Sequence, residues 1–361
     1  MIEITKHIAT PVVNAKADPG TSHIPLLDVE DLHVSAQGEN GMKIIDGLNL
    51  RVHAGEIVAL VGESGSGKSM TAMSLIRLLP EGVTATRGRI KFGGKDVLAM
   101  SPQQLNHLRG GHIAMIFQQP QAMLDPTSRV GIQVAEALRQ HRAPERLSVT
   151  GSVIKLLRDV GIPEPALRAR CFAHELSGGM AQRVMIAAAM SGEPELLIAD
   201  EPTTALDVTV QAQILKLLDE QRHKRNIAVL LITHDLSIVS ALADRVAVMY
   251  AGRIVEEGPA RSVLKAPRHP YTRALVQCSL LKADHEGRLF SIPSGATQPH
   301  DIHQGCRFHP RCATAAAMAD SSRCTHHEPA LDAYDAHCNA RCWAACEAAM
   351  PVVAVQTAAM S

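Results

Sequence analysis

Residues 62–69 could bind the phosphates of a nucleotide. Their sequence, GESGSGKS, fits the pattern G-x-x-x-x-G-K-[ST]. Glycines let a backbone wrap closely around phosphate oxygens with its N–H groups pointing inward, and the N-terminus of a following helix adds partial positive charge. Lys68 is expected to reach the β- and γ-phosphates, and Ser69 to ligate Mg²⁺. The predicted nucleotide-binding residues are Gly62, Glu63, Ser64, Gly65, Ser66, Gly67, Lys68 and Ser69.

Two adjacent carboxylates, Asp200 and Glu201, follow a short apolar run, LLIA. A carboxylate at the end of a buried strand can hold Mg²⁺ directly or through water, which we predict for Asp200. Glu201 is then placed to polarise the attacking water as a general base. The alternative is a solvated acidic turn, and the phosphate-binding loop upstream argues against it.

A second anion-binding turn is predicted at Ser177-Gly178-Gly179, which precedes the helical run AQRVMIAAAM. A serine and two glycines at the start of a helix can surround an anion. One nucleotide needs only one such turn. The second turn therefore indicates contact with a nucleotide held by another chain.

These side chains need a fold that brings the ends of several strands together. Three short apolar runs, 57–61, 196–199 and 227–233, are typical of buried strands in a parallel sheet, and amphipathic helical stretches such as 208–222 lie between and after them. This alternation predicts an α/β core. Residues 117–194 carry no strong strand signal, which predicts a helical insert in that core.

The composition narrows the class of protein. Lys and Arg number 36 against 36 Asp and Glu, so the formal net charge is zero, which argues against a general nucleic-acid binder. Hydrophobic residues make up 46% and charged residues 20%, which is typical of a globular protein. No apolar run is long enough to span a membrane, and the N-terminus, MIEITKHIATPVV, is unlike a signal peptide, so we expect a cytoplasmic protein.

In their order along the chain, these motifs resemble those of the ATPase subunits of ATP-binding-cassette (ABC) transporters, and LSGGM at residues 176–180 is similar to that family's signature motif. The resemblance covers roughly residues 26–265. It implies a P-loop NTPase cassette with a RecA-like α/β core, an antiparallel β subdomain and a helical subdomain at about 118–195. Residues 1–25 would be an N-terminal lead-in, and residues 266–361 a Cys-rich C-terminal extension.

The resemblance also implies roles for further side chains. Gln118, in IFQQP, matches the glutamine that senses Mg²⁺ and the attacking water and faces the membrane subunits. Asp207 matches the loop that communicates across the dimer, and His234 matches the histidine that contacts the γ-phosphate. The implied catalytic residues are Glu201, His234 and Gln118, the implied Mg²⁺ ligands are Ser69, Gln118 and Asp200, and the implied dimer-side contacts are Ser177, Gly178, Gly179 and Asp207.

A structural histidine is the alternative for His234, but its place directly after the run IAVLLIT favours a ligand-binding role. The resemblance further implies that two subunits sandwich ATP. The implied partners are a second ATPase subunit (the same chain or a paralogue), two transmembrane permease subunits and, indirectly, an extracytoplasmic solute-binding protein, with no nucleic acid. The chain would then be a peripheral protein on the cytoplasmic face of the inner membrane.

One position departs from the family pattern. Members usually carry an aromatic residue after the first strand that stacks on adenine, and this chain has Ala36 there. No Phe, Tyr or Trp precedes Phe92. We therefore predict that the isolated chain binds ATP weakly.

The C-terminal part narrows the branch of the family. HPYTRAL at residues 269–275 and CRFHPRC at 306–312 resemble segments of the ATPases of dipeptide, oligopeptide and nickel importers. The leading hypothesis is ATP-driven uptake of di- or oligopeptides. The same motor role for nickel or another metal chelate is the alternative. A soluble ABC ATPase acting on nucleic acid is less favoured, because long coiled-coil insertions, fused cassettes and paired C-x-x-C modules are not visible in the sequence.

Six of the eight cysteines lie in the last 56 residues. In relatives such cysteines can hold an iron–sulfur cluster, and the resemblance implies the ligands Cys306, Cys312, Cys324 and Cys338 for a [4Fe–4S] cluster. Zinc or plain structural thiols are the alternatives. Cys342 or Cys346 could replace Cys338 as the fourth ligand, since residues 338, 342 and 346 would share one face of a helix.

Overall fold

A computed structural model describes residues 24–37, 41–119, 123–141, 149–204, 206–280, 290–293, 304–318 and 320–347. Most of the predicted lead-in, residues 1–23, lies outside these ranges, as does Ala205 in the predicted dimer loop. The strands are β1 (Leu27–Ala36), β2 (Lys43–Val52), β3 (Ile57–Val61), β4 (Val83–Phe92), β5 (Lys95–Asp96), β6 (Ile113–Ile116), β7 (Leu196–Asp200), β8 (Ala228–Thr233), β9 (Arg245–Tyr250), β10 (Arg253–Pro259), β11 (Asp332–Asp335) and β12 (Cys338–Ala340).

An eight-stranded sheet forms the centre of the molecule, in the order β11-β12-β10-β9-β3-β8-β7-β6. The five strands from β9 to β6 run parallel. Every residue of β3, β7 and β8 is buried, which explains why these strands read as unbroken apolar runs. The predicted α/β core is confirmed.

A smaller antiparallel sheet, in the order β2-β1-β4-β5, packs against this core. Along β1, residues such as Leu27 and Val29 are buried and alternate with more exposed neighbours. The buried side chains of the small sheet share one hydrophobic cluster with Val58 and Leu60 of β3. The two sheets are therefore joined through a single core.

Helices surround the sheets and fill the stretch between β6 and β7. Within the described ranges, no helix combines the length and the apolar character that crossing a bilayer requires. The helices outside that stretch, up to residue 279, are Lys68–Leu75, Pro102–Leu108, Val208–Arg225, Leu236–Leu242, Ala260–Lys265 and Pro270–Ser279. Between β6 and β7 lie Val130–His141, Val149–Asp159, Pro165–Arg168, the 3₁₀ turn Ala173–Glu175 and Gly178–Ser191. The C-terminal part contains the 3₁₀ turn His309–Arg311 and the helices Ala313–Ala316, Ser322–His326 and Trp343–Glu347.

The C-terminal extension adds strands to the main sheet. β12 pairs antiparallel with β10, with Glu256 opposite Ala340, and β11 pairs with β12. The hydroxyl of Tyr334, on β11, donates a hydrogen bond to the buried carboxylate of Glu256 (2.8 Å). The sequence analysis did not anticipate this pairing, because three residues of β12 are too few to produce a recognisable pattern.

A buried carboxylate links the small sheet to the extension. Asp46, on β2, pairs with Arg253 of β10 (2.6 Å) and with Arg307 of the extension. His33 of β1 lies 2.9 Å from the same carboxylate. Burial raises the pKa of Asp46, but the hydrogen bond from Arg253 and the charges of Arg253, Arg307 and Lys43 outweigh it and lower the pKa to about 2.

Candidate functional site

The register of the parallel strands brings the predicted site residues to one edge of the sheet. Val61 of β3 lies opposite Thr233 of β8, and Asp200 of β7 lies opposite Ile232. The residues that follow these strands, Gly62, Glu201 and His234, therefore meet at the carboxyl ends of the strands. Ligands bind at this edge in open α/β sheets.

At two positions of the loop from Gly62 to Ser69, only glycine fits. A Cβ on Gly62 would lie 2.1 Å from the carbonyl oxygen of Met249, and Gly67 has a φ of 106°. The ammonium group of Lys68 donates hydrogen bonds to the carbonyl oxygens of Gly62 (2.8 Å) and Glu63 (2.9 Å). The loop thus encloses its own lysine at the start of the helix Lys68–Leu75.

Lys68 is only 7% exposed. Burial lowers the pKa of its ammonium group, and the negative charges of Glu201, Asp200 and Glu63 act in the opposite direction. Two of those carboxylates belong to the predicted metal and catalytic pair. The lysine therefore lies within electrostatic range of both residues.

Asp200 is 6% exposed and accepts a hydrogen bond from the hydroxyl of Ser69. Burial raises the pKa of Asp200, the charge of Glu201 adds to this rise, and the Ser69 hydrogen bond and Lys68 oppose it. A hydroxyl and a carboxylate oxygen side by side are the donor types that Mg²⁺ binds in nucleotide sites. Ser69 and Asp200 fit their predicted role as Mg²⁺ ligands.

Three side chains converge on the carboxylate of Glu201. The amide nitrogen of Gln118 and the hydroxyl of Thr204 each donate to one carboxylate oxygen at 2.8 Å. Nδ1 of His234 lies 3.2 Å from the other oxygen. The structure therefore brings together the three residues predicted to be catalytic, Glu201, His234 and Gln118.

The protonation state of Glu201 suits a base. Burial raises its pKa, but the hydrogen bonds from Thr204 and His234 and the charges of His234 and Lys68 outweigh burial, and the net pKa is lowered. The backbone of Glu201 has a φ of 46°, an unfavourable conformation for a non-glycine residue. Such conformations persist where the surroundings over-determine them, as they do around functional groups.

The predicted dimer-side residues have local structural roles in the single chain. Ser177 caps the helix Gly178–Ser191 by accepting a hydrogen bond from the N–H of Met180 (3.3 Å). Asp207 caps the helix Val208–Arg225 in the same way through Val210 (2.9 Å). A Cβ on Gly179 would lie 2.8 Å from a methyl group of Val210, so a larger residue cannot fit without a shift. Their contact with a second chain's nucleotide stays a prediction.

The sequence analysis missed three residues that contact the site. Thr204 lies three positions after Glu201, and no motif of the sequence marks it. Tyr271 and Arg311 lie in the segments HPYTRAL and CRFHPRC, which served only to identify the branch. The Tyr271 hydroxyl accepts a hydrogen bond from the N–H of Glu63 (2.8 Å), and Arg311 forms two bonds with the Glu63 carboxylate (2.8 and 2.9 Å).

Four thiols in the extension lie near one another. The N–H of Cys306 donates to the carbonyl oxygen of Cys324 (2.8 Å). Burial raises the pKa of Cys306 to about 12, and the thiols of Cys342, Cys312 and Cys324 contribute to that rise. Burial also raises the pKa of Cys342 to about 11, with contributions from Cys312 and Cys324. The structure therefore groups Cys342 with three of the predicted ligands.

Cys338 is placed elsewhere. It is buried on β12, where its thiol is hydrogen-bonded with Tyr334 and feels the charges of Asp335 and Glu256. Since residue 338 is in a strand and only Trp343–Glu347 is helical, the shared helix face of Cys338, Cys342 and Cys346 does not form. In the part of the chain that the structure describes, no three candidate ligands are arranged to hold a metal ion.

Comparison with known proteins identifies two regions. Residues 45–204 match the profile of the ABC transporter family, and residues 255–318 match that of the oligopeptide/dipeptide transporter C-terminal region. The chain is 44% identical over 322 residues to the "Probable D,D-dipeptide transport ATP-binding protein DdpD" of Escherichia coli, covering 88% of this chain and 96% of that protein. It is 43% identical over 308 residues to the dipeptide transport ATP-binding protein DppD of E. coli, covering 85% and 93% respectively.

Two solved structures resemble the fold. One is a dimeric structure of the ATP-binding cassette MJ0796 bound to ADP and Pi, with a TM-score of 0.58 and 25% identity, covering 65% of this chain and 99% of that one. The other is cbiO1 from Clostridium perfringens, part of the ABC transporter complex cbiONQ, with a TM-score of 0.58 and 31% identity, covering 66% and 90%. These similarities support the cassette fold.

Proposed function

The chain belongs to the ABC transporter family and is an ATPase, and on this premise we propose that it is the ATP-hydrolysing subunit of a bacterial importer of di- or oligopeptides. One observation carries the proposal. Gln118, Thr204 and His234 all contact the carboxylate of Glu201, beside a phosphate-binding loop at the same edge of the sheet. This arrangement can align one water molecule against the terminal phosphate of ATP.

The hydrolysis step follows from these positions. The backbone N–H groups of residues 62–69 hold the phosphates, and Lys68 exchanges its carbonyl partners for phosphate oxygens. Ser69 and Asp200, with Gln118 close by, would hold Mg²⁺, which would supply positive charge against the negative charge of the phosphates. Glu201 accepts a proton from the water whose oxygen attacks the γ-phosphorus, the bond to the bridging oxygen breaks, and ADP and phosphate leave. His234 contacts the γ-phosphate.

We propose that the active unit is a sandwich of two ATPase chains. The turn Ser177–Gly179 of one chain would cover the nucleotide bound by residues 62–69 of the other. The dimeric form of the similar cassette MJ0796, bound to ADP and Pi, supports this assembly. The second chain can be a copy of this one or a paralogue.

Two transmembrane permease subunits are the proposed docking partners. Gln118 is exposed, and near it along the chain Met123 and Ile132 are 53% and 52% exposed. Exposed apolar side chains that follow the catalytic glutamine along the chain suit contact with a permease segment, which would transmit its movement to Glu201. The chain would then lie on the cytoplasmic face of the inner membrane as a peripheral subunit.

The peptide cargo rests on the names of the relatives DppD and DdpD and on the match to the oligopeptide/dipeptide C-terminal region. The permeases and an extracytoplasmic binding protein would select the solute. Import of nickel or another metal chelate by the same motor is the second candidate, because it needs no change in the ATPase site.

Co-purification and reconstitution test the proposal. The chain, produced with its genomic neighbours, is expected to co-purify with two permeases in detergent and to drive ATP-dependent uptake of a labelled dipeptide in proteoliposomes supplied with the binding protein. Lys68→Ala should abolish uptake, whereas Lys95→Ala, at an exposed lysine away from the site, should not. Uptake of a nickel chelate and not of dipeptide would favour the metal-chelate importer. Absence of any permease complex would contradict the proposal that the chain is part of an importer.

We propose further that the extension holds a [4Fe–4S] cluster through Cys306, Cys312, Cys324 and Cys342. The charge effects among these four thiols favour Cys342 over Cys338 as the fourth ligand. Binding of the cluster would have to draw the thiols together, since the described residues hold no preformed group of three ligands. Four thiolates are the ligands that such clusters require. Zinc stays the alternative, because it accepts the same donors.

A further inference from the structure

Glu63, the second residue of the phosphate-binding loop, has each of its polar groups engaged. Its carbonyl oxygen accepts a hydrogen bond from Lys68 (2.9 Å). Its N–H donates to the hydroxyl of Tyr271 (2.8 Å), and its carboxylate binds both terminal nitrogens of Arg311 (2.8 and 2.9 Å). Tyr271 and Arg311 lie 208 and 248 positions away from Glu63 along the chain. The C-terminal segments therefore reach the lysine of the nucleotide site through a single residue.

Both partners of Glu63 are also fixed by contacts with other residues. Tyr271 has no exposed surface, and its ring packs against those of Tyr250 and Phe308, at centroid distances of 4.6 and 5.4 Å. Arg311 donates from Nε to the carbonyl oxygen of Pro293 (2.7 Å) and from Nη1 to the hydroxyl of Tyr250 (3.2 Å). Its guanidinium group also lies over the rings of Tyr250 and Phe308. Three of the chain's nine Phe, Tyr and Trp residues thus pack together around the contacts to this loop.

The loop is packed against the core at Gly62, Ser66 and Gly67, but its tip at Gly65 is open. Gly65 has a φ of 79°, and a Cβ added there would touch nothing within 4 Å. A glycine-rich loop that is not fixed loses conformational entropy when it orders around a ligand, and this loss weakens binding. A two-point bond between a guanidinium group and a carboxylate fixes both position and direction. Arg311 and Tyr271 supply such fixation on the side of the loop that bears Glu63.

We infer that Arg311 and Tyr271 are positioning residues of the nucleotide site, and that they make ATP affinity depend on the docked C-terminal extension. They act through Glu63, whose backbone orientation determines where the Gly62–Glu63 carbonyl oxygens hold Lys68. The inference rests on the proposed function, because it assumes that this loop binds ATP. It assigns to the extension a role in the ATPase cycle.

The test compares Arg311→Gln, Glu63→Gln and the double variant in the full-length chain. Equilibrium titration with Mg²⁺ and a slowly hydrolysed ATP analogue is expected to give a Kd about three- to tenfold higher for each single variant, as for loss of a partly exposed charged hydrogen-bond pair. The double variant should be no weaker than the worse single variant, because both changes remove the same bond. For Arg311→Gln in the permease complex, KM for ATP should rise while kcat at saturating ATP stays within about twofold, since Glu201 is untouched.

Arg341→Gln is the matched control. Arg341 belongs to the same extension, its side chain is 18% exposed against 14% for Arg311, and it pairs with Glu328 at 3.8 Å. This variant should lower the melting temperature and leave the ATP Kd at the parent value. Arg311→Lys should recover part of the affinity, because it keeps the charge and loses the two-point geometry.

Three results would contradict the inference. A parent-like Kd for Arg311→Gln, an equal loss in Arg341→Gln, or additive losses in the double variant would each overturn the inference. If Arg311→Gln does not fold, Glu63→Gln decides alone, because it changes one atom type in a loop and removes the same charged pair. Failure of the proposed function would look different, since the unmodified chain would then bind no ATP analogue at all.

Discussion

The side-chain amide of Gln118 donates a hydrogen bond to the carboxylate of Glu201 over 2.8 Å, although 83 positions separate the two residues. Gln118 follows β6 and begins the stretch that leads into the helices between β6 and β7, whereas Glu201 follows β7 in the core. A displacement of that helical region therefore moves a partner of the proposed base directly. This bond gives a physical route by which permease movement could control hydrolysis.

Replacing the proposed base should separate binding from turnover. Glu201→Gln keeps the size of the side chain and removes its capacity to accept a proton. We expect ATP hydrolysis to fall by about 10²–10⁴-fold, as for loss of a general base. Phosphate release measures turnover, and titration with the ATP analogue should give a Kd close to that of the parent. Hydrolysis at the parent rate would remove Glu201 from this role.

The hydroxyl of Thr204 should influence the pH dependence of the reaction. It donates a hydrogen bond to the charged form of Glu201, so Thr204→Val should raise the pKa of that carboxyl. The ionised base would then be lost at a higher pH as the solution is acidified, and the acid limb of the kcat profile should move upward. At neutral pH we expect a threefold to tenfold loss of kcat, about the value of one ordinary hydrogen bond.

Thr325→Val is the control for that experiment, because the Thr325 hydroxyl bonds a carbonyl oxygen in the extension, away from Glu201. Its acid limb should coincide with that of the parent. If the Thr204 and Thr325 variants give superimposable profiles, Thr204 has no part in tuning the base.

Restoring an aromatic residue should strengthen nucleotide binding. Ala36 ends β1 opposite Val83 of β4. The resemblance to the family predicts an adenine-stacking side chain at this position. Stacking on a base contributes about 1–3 kcal/mol, so Ala36→Tyr should lower the ATP Kd by about five- to 150-fold. Ala333→Tyr, at an exposed site on β11, supplies a matched aromatic control. Equal affinities in the two variants would mean that residue 36 is not next to the base.

Two cysteine variants should discriminate between the possible ligand sets. Cys342→Ala is expected to lose iron and the brown absorbance after anaerobic purification, whereas Cys338→Ala should keep both and lose only stability, because its thiol lies in the core beside Tyr334. Iron and zinc content per chain are the measurements. The reverse result would restore Cys338 as a ligand, and an iron-free, folded parent protein would exclude the cluster.

Acid should weaken the link that Asp46 makes between the small sheet and the extension. The pKa of Asp46 is lowered from 3.8 to about 2, so its contribution is present above pH 4 and is lost as the pH falls towards 2. The shift corresponds to about 2 kcal/mol of the free energy of unfolding. Asp46→Asn should lose about that amount at pH 7, since one terminal nitrogen each of Arg253 and Arg307 loses its carboxylate partner, and should approach the parent near pH 2. Urea denaturation across this pH range measures both curves, and parallel curves would argue against the assignment.

The α/β core and the position of the site could be predicted from the sequence, because short sequence patterns encode them. The apolar runs of β3, β7 and β8 and the glycine spacing of residues 62–69 carry their own physical reasons, so the core and the position of the site followed from them. The contacts made by Tyr271, Arg311 and Cys342 depend on how the C-terminal segments pack on the core. Contacts between segments far apart in the sequence leave no periodicity or spacing from which they could be predicted. Order along the chain therefore predicts Cys338 as the fourth ligand, whereas the fold places Cys338 on a strand.

The pairing of β12 with β10 has a consequence for how molecules of this protein meet one another. A bare β10 would offer a row of open backbone donors and acceptors at the sheet border, the kind of surface on which chains aggregate. Instead the border is β11, which is four residues long and carries exposed aspartates at positions 332 and 335. The short length and negative charge of β11 disfavour pairing with a strand of another molecule. The extension is therefore expected to reduce aggregation of the cassette through this sheet edge.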